Sequence, residues 1–537
     1  MAFSHRNRRI AASLSVLLAA VSVPSIASAG PSQAGCENQN LNQTDKLLNC
    51  VDADDVVGHL DALQAIADAN GGTRASGTPG YDASAEYVAD LMEDAGYDVT
   101  IQEFDFTLFT EVSSSLSNDG QPVETQTFSF SGSGSITDGN VIPIDLDLGL
   151  GNNSTSGCET ADFDGLDFSG DSDIALVQRG LCSFGDKATN ANDAGAEAVI
   201  IFNQGNAEGR FDLISGTLGE GVVGTVNIPV LDVSYDDGVA LIDAQNVDLA
   251  AETVNDTKST SNVIADLEGV NTDNVVMAGA HLDSVQDGPG INDNGSGSAT
   301  ILATALALGN NKKFTPQNSL RFAWWGAEES GLIGSTNYIF DPEFGISDED
   351  YEKLALYLNF DMVGSPNFIY GVYDADESTF PAPVVVPPGS AELEDLFEAF
   401  YTIEGVPYED SEFSGRSDYQ AFIDAGIPAS GLFTGAEEIK TPEQQAIWGG
   451  IAGEQFDQCY HEACDTIDNV SIEALDVNVD AIAYAIYNLA ASTEAVNGVP
   501  GVDVKGITPA DVEFDGPQGT VGTSGGGFDA DHAHAVS

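Results

Sequence analysis

Two histidines and a set of carboxylates stand at places in this chain where side chains rarely sit idle. His281 and Asp283 close an apolar run at 275–278, and Asp293 follows in a turn rich in Gly, Asn and Asp. The aromatic run 322–325 leads into Glu328 and Glu329, and the apolar run 354–360 leads straight into Asp361. His461 lies in a short segment bounded by Cys459 and Cys464. Imidazole nitrogens and carboxylate oxygens are the donors that zinc-like ions take. His281, Asp293, Glu329, Asp361 and His461 make five donors. That suits a pair of such ions with one carboxylate shared and a position left open for water. Glu328 is left over to accept that water's proton, and Asp283 could hold the His281 imidazole from behind. The chemistry these types support is metal-assisted hydrolysis.

The ordinary reading of paired acids is a solvated surface. It fits poorly here, because Glu328-Glu329 follows a buried-type aromatic strand and Asp361 sits between Phe360 and Met362. An acid among apolar groups needs partners or a cation. His59 lies within helical periodicity, where a structural or solvent-facing role is expected rather than that of a ligand. His532 and His534 sit in a Gly- and Asp-rich tail. No HExxH occurs, so the helical single-zinc design is excluded.

His281, Glu329 and Asp361 sit where strands are expected to end, Asp293 and His461 in a turn and a loop, and strands alternate with helices over 260–495. The expected fold is α/β, a doubly wound mixed sheet with ligands at the carboxyl edge of its strands. Helices are expected over 56–67, 82–95 and 472–491, and a strand over 99–106. Residues 110–137, rich in Ser, Gly and Thr, read as a crossing into another unit. Between about 140 and 250 a smaller α/β pattern appears, with strands at 174–177, 198–202 and 229–233 and a helix at 184–194. That block holds no histidine and reads as a non-catalytic module. The expected division is 1–29, 30–110, 111–259, 260–495 and a tail at 496–537.

The chain carries 86 acidic against 16 basic residues, a formal net charge of -70. Nucleic acid and anionic membranes are poor partners for such a surface. The same excess implies self-repulsion at low salt. Residues 1–29 read as an export signal, with Arg6, Arg8 and Arg9, an apolar stretch, and Ala27-Ser28-Ala29. The expected location is secreted or periplasmic, and the expected state a monomer. The six cysteines then suit three disulfides. Proximity in sequence favours Cys36–Cys50, Cys158–Cys182 and Cys459–Cys464.

The segments AHLDSV, GPGINDNGSGSA, FAWWGAEESGLIGS, LNFDMVGSPN, FSGRSDYQAF, GLFTGAE and CYHEACDT resemble the secreted zinc aminopeptidases of the M28 peptidase type. The segment DIALVQRGLCSFGDKATNANDAGAEAVIIFNQ resembles the protease-associated domain inserted in some of these enzymes. The resemblance implies two zinc ions, one held by His281 and Asp361, the other by Glu329 and His461, with Asp293 bridging. It makes Glu328 the general base and Asp283 a residue behind the metal ligands. It further implies that Tyr460 steadies the tetrahedral intermediate. Arg416 would meet the substrate beyond the scissile bond, and Phe433 would line an apolar pocket. Calcium, present in some relatives, is left open. The implied substrate is a peptide with a free amino terminus. A carboxypeptidase or dipeptidase, a glutaminyl cyclase and a metal-free binding protein are the alternatives on the same fold.

Overall fold

The computed structural model describes residues 33–207, 210–214, 216–382 and 384–503. The export signal read at 1–29, the tail beyond 503, and His532 and His534 lie outside the described residues. Thirteen strands join in one sheet. In chain order they are β1 (Asp98–Asn118), β2 (Gln121–Val123), β3 (Gly134–Pro143), β4 (Asp173–Gln178), β5 (Ala198–Phe202), β6 (Val230–Val233), β7 (Val247–Leu267), β8 (Asn271–His281), β9 (Asn318–Trp325), β10 (Leu354–Phe360), β11 (Gly371–Tyr373), β12 (Glu409–Ser411) and β13 (Ala429–Phe433).

The run β13-β10-β8-β9 is parallel throughout, and β7 joins β9 antiparallel. Parallel strands are covered on both faces, so they read as near-continuous apolar runs. That is the pattern of β8 and β10, whose later residues are all buried. Because β8, β9 and β10 point the same way, their carboxyl ends share one edge, where His281 pairs in register with Trp325. The fold class read from sequence is the one observed.

Six longer helices flank the sheet: α1 (Ala53–Ala69), α2 (Pro79–Asp94), α3 (Phe184–Ala194), α4 (Gly297–Gly309), α5 (Ser390–Glu404) and α6 (Ile472–Ala491). α1 starts three residues before its apolar periodicity does. Asp52 caps it by accepting the Asp55 backbone N–H, and Asp54 and Asp55 suit the positive end of the helix dipole. Thr78 accepts from the Tyr81 N–H and Pro79 opens α2. On one face α1, α2, α4, α5 and α6 share a core with Val276, Leu320, Trp324 and Leu358. On the other, Trp325, Tyr357 and Phe422 pack together, Tyr357 and Phe422 stacked with centroids 3.7 Å apart. The block 139–241 has its own parallel strands β3-β4-β5-β6 and its own apolar clusters.

One expectation is corrected. The strand read at 99–106 does not stop there but runs to Asn118, paired antiparallel with β7 along its length. The segment read as a crossing is therefore largely ribbon. It is Ser- and Thr-rich because an exposed two-stranded ribbon has no buried face to fill, and extended backbone accepts those residues there. The three disulfides form as proximity favoured, Cys36–Cys50, Cys158–Cys182 and Cys459–Cys464.

His59 takes its expected structural place, between α1 and α2 with Nδ1 2.7 Å from the Tyr87 hydroxyl. Burial lowers its pKa to about 4. A folded value below the unfolded one means stability is complete above pH 6.5 and is lost as pH falls toward 4. We expect roughly 2 kcal/mol of acid destabilisation from this residue. A His59→Gln variant should lose less melting temperature between those limits than the parent, and parallel curves would refute the assignment.

Candidate metal centre

After β9 and β10, and in the loop that carries His461, the backbone turns sharply to aim a carboxylate or imidazole at one point. Ala327, Met362 and His461 adopt left-handed φ angles of 55°, 50° and 59°. Non-glycine residues take this conformation at a cost, and it recurs where a site demands an orientation. Ala327 precedes the Glu328-Glu329 pair, Met362 follows Asp361, and His461 is itself a candidate ligand. The peptide bond between Asp293 and Asn294 is cis.

The five donors read from sequence converge as two triads that share Asp293. His281 Nε2 lies 3.2 Å from Asp293 Oδ1 and 3.2 Å from Asp361 Oδ1. His461 Nε2 lies 3.3 Å from Asp293 Oδ2 and 3.1 Å from Glu329 Oε2. Within each triad the donor atoms all lie within 4.8 Å of one another. Asp293 thus turns one oxygen toward each group, as a bridging carboxylate does.

The donor chemistry fits a cation in each triad. His281 Nδ1 is 3.1 Å from the Asp283 carbonyl oxygen, which can only accept, so the ring proton belongs on Nδ1. A neutral ring then presents the Nε2 lone pair to two carboxylate oxygens, an arrangement that needs positive charge between them. Glu329 Oε1 is buried without a hydrogen-bond partner, another free acceptor. The field has the same sense: although burial opposes charging, the carboxylates of Glu328 and Asp361 raise the His281 pKa well above normal. For His461, burial likewise opposes charge, but Glu329 and Asp293 push its pKa up to about 11. These are the surroundings of a cation.

Glu328 stands just off the triads, Oε2 4.0 Å from His281 Nε2. Burial, joined by Asp418, Asp361 and Glu329, raises its pKa well above normal against the pull of His281. Asp283 stands behind His281, and the contact runs chiefly through its main chain. Its carboxylate Oδ1 is 3.6 Å from His281 Nδ1, beyond hydrogen-bond range, while its carbonyl takes that role. Asp283 Oδ1 instead accepts the Glu328 backbone N–H at 3.3 Å, positioning the candidate base.

Several supporting residues carried no sequence signal of their own. Asp465, buried, accepts the backbone N–H groups of Asn292 and Asp293 at 2.9 Å each and so fixes the bridging carboxylate's loop. The fully buried Arg74 guanidinium donates to the carbonyls of Pro289, Leu282 and Gly290, gripping the same loop from the amino-terminal part of the chain. Asp361 is held by a relay. Trp325 Nε1 donates to Tyr357 at 2.8 Å, and Tyr357 donates to Asn359 at 3.1 Å. Asn359 Nδ2 donates to Ser417 at 2.8 Å, and Ser417 donates to Asp361 Oδ2 at 2.5 Å.

Arg416 and Tyr460 are brought together: Arg416 donates to the Tyr460 hydroxyl at 3.0 Å and to Glu437 at 2.6 Å. With its oxygen occupied as acceptor, the Tyr460 O–H is free to donate. Its ring stacks on His461 at 3.8 Å. Phe433 is half-buried at the end of β13 and packs on the cluster around Trp325. Cys459–Cys464 closes the loop carrying Tyr460 and His461. Opening that loop should loosen an exposed ligand. We expect replacement of both cysteines by serine to weaken zinc retention against a competing chelator by about tenfold. Unchanged retention would show that the loop holds its shape unaided.

Residues 262–486 match the sequence model of Peptidase family M28, and 139–241 match that of the PA domain. An "Aminopeptidase" of Pseudomonas aeruginosa is 45% identical over 477 residues, covering 87% of this chain and 86% of that one. "Leucine aminopeptidase 2" of Trichophyton tonsurans is 36% identical over 499 residues, covering 92% and 95%. Among solved structures, "BSAP, a zinc aminopeptidase from Bacillus subtilis" matches with a TM-score of 0.54 at 25% identity, covering 85% of this chain and 99% of that one.

Proposed function

Since this chain belongs to peptidase family M28 and is an aminopeptidase, we propose that it works with two zinc ions, removes apolar residues from the amino terminus of peptides, and is exported. The observation that carries the two-ion reading is Asp293, with one oxygen 3.2 Å from His281 and the other 3.3 Å from His461. The zinc named for the Bacillus enzyme supports the choice of metal, and leucine named for the Trichophyton enzyme supports the substrate. Three disulfides and the arginine-led apolar stretch at 1–29 support export. Among the described residues no helix is long and apolar enough to cross a membrane.

His281 and Asp361 would hold one ion, Glu329 and His461 the other, and Asp293 both. So held, the pair would supply Lewis acidity toward the scissile carbonyl and would lower the pKa of the attacking water. Glu328 takes the proton from that water and delivers it to the departing amine nitrogen. The Tyr460 hydroxyl donates to the carbonyl oxygen as negative charge gathers there, and Arg416 keeps that hydroxyl turned outward. The acidic surroundings receive the substrate's ammonium group, which is why only a chain end would fit. Leucine p-nitroanilide should be cleaved at least about a hundredfold faster than its N-acetyl derivative, since the blocked amine loses that charge. Equal rates would sink the exopeptidase reading.

A further inference from the structure

The guanidinium beside the metal centre does not present a free charge. Arg416 donates from Nη1 to Glu437 Oε1 at 2.6 Å and from Nη2 to the Tyr460 hydroxyl at 3.0 Å. The first is a short, charge-assisted bond, and the pair stays open to solvent, with 34% of the Arg416 and 38% of the Glu437 side chain exposed. Among the described residues Arg416 is the only cation paired with Glu437. The other oxygen of that carboxylate, Oε2, is buried without a hydrogen-bond partner. Further acids stand close. The field of Glu438 also acts on Arg416, and on Glu412, whose Oε1 is buried and unpartnered. Carboxylates therefore outnumber the guanidinium in this corner of the site.

Charge decides which half of a substrate lies here. The ammonium group belongs among the carboxylates of the two triads, and a guanidinium is no neighbour for it. Arg416 stands one hydrogen bond from the hydroxyl aimed at the scissile carbonyl, so it meets the departing half. Two of its N–H groups are engaged by Glu437 and Tyr460. Those remaining can still donate to a neutral backbone carbonyl. What the corner lacks is net positive charge to receive a carboxylate.

We propose that Glu437 is a positioning residue that neutralises Arg416, and that the enzyme thereby selects peptides continuing past their second residue over dipeptides. A dipeptide brings its own terminal carboxylate to this corner, where it faces Glu437 with no cation left to meet it. Like charges so placed weaken binding. A longer peptide, or an amide, offers a neutral carbonyl there and accepts from Arg416 without that repulsion. The inference rests on the aminopeptidase reading above and adds the product to it: trimming of a peptide should stall at the dipeptide.

The test compares leucyl-glycine with leucyl-glycinamide on the zinc-loaded enzyme, taking kcat and KM for each. The two differ only in the terminal carboxylate, so a general loss of activity or of folded enzyme cancels in their ratio. The parent should favour the amide by at least about tenfold in kcat/KM, chiefly through KM. Glu437→Gln should shrink that preference to within about twofold or reverse it, and Glu437→Ala should do the same, because both free the charge of Arg416. Glu437→Asp keeps the charge and should keep the preference. Glu252→Gln removes an equal charge from an exposed position on the β1–β7 ribbon and should keep it too. A parent that favours the dipeptide, a parental ratio in both Glu437→Gln and Glu437→Ala, or an equal shift in Glu252→Gln overturns the inference. Cleavage of neither peptide by the parent would bring down the apolar aminopeptidase reading and this inference with it. Cleavage of both with an unmoved ratio would leave that reading standing and remove only the role of Glu437.

Discussion

Replacing Glu328 by glutamine should lower kcat on leucine p-nitroanilide by 10²- to 10⁴-fold while leaving bound zinc and melting temperature close to the parent's. Glutamine keeps the size and one acceptor oxygen, so the fold has little to lose. It cannot take a proton, and the Asp283 carboxylate that receives the Glu328 backbone N–H at 3.3 Å would still hold the residue in place. A thousandfold loss is about 4 kcal/mol of transition-state free energy, too much to come from a small positional change. The pH profile gives a second reading. Glu328 works only as a carboxylate, so rate is lost as pH falls through its pKa. Burial raises that pKa and bound cations lower it, so the acid limb marks the balance between them. The glutamine variant should show no limb of this origin. Near-parental kcat in the variant would remove Glu328 from the mechanism.

The other large effect is expected at Asp293. Every other ligand serves one triad, but its two oxygens serve both. Asp293→Ala should therefore cost more than loss of any single-triad ligand. On the proposed two-ion reading, bound zinc should fall from two per chain to below one, and kcat/KM by at least about 10⁴-fold, the scale of losing metal-assisted attack. His461→Ala removes a ligand from one triad only, so it should retain one zinc per chain. Identical metal content in the two variants would mean that the triads do not share a bridge. Prolonged chelation should abolish activity and zinc should restore it.

His281, Glu328, Glu329 and Asp361 were legible because each lies at or just past the end of a buried strand, and strand ends on one edge of a parallel sheet must be neighbours in space, whereas Asp293 and His461 come from loops. An apolar run followed by an acid is a local pattern with a non-local consequence. The supports were not legible for the opposite reason. Arg74 reaches the carbonyl of Pro289, and Ser417 reaches Asp361, without any periodicity that links them. Asp283 shows how much main-chain geometry adds within a single motif. Its position was right, but main-chain geometry gave its carbonyl to His281 and its carboxylate to Glu328. The ribbon beyond Phe106 was missed because exposed strands lack the alternation that marks half-buried ones.

The long pairing of β1 with β7 places the whole stretch between them as an interruption inside a single catalytic body. Arg74 is made early on the ribosome, the loop it grips more than two hundred residues later, and His461 and Asp465 later still. The interrupting block, with its own apolar clusters, has all its partners at hand long before that. The residues of the hydrolytic centre are therefore among the most widely separated in sequence, so its contacts close the longest loops in the fold. A chain halted before residue 461 would lack His461 and Asp465, and with them one triad's imidazole and the anchor of the bridging carboxylate's loop.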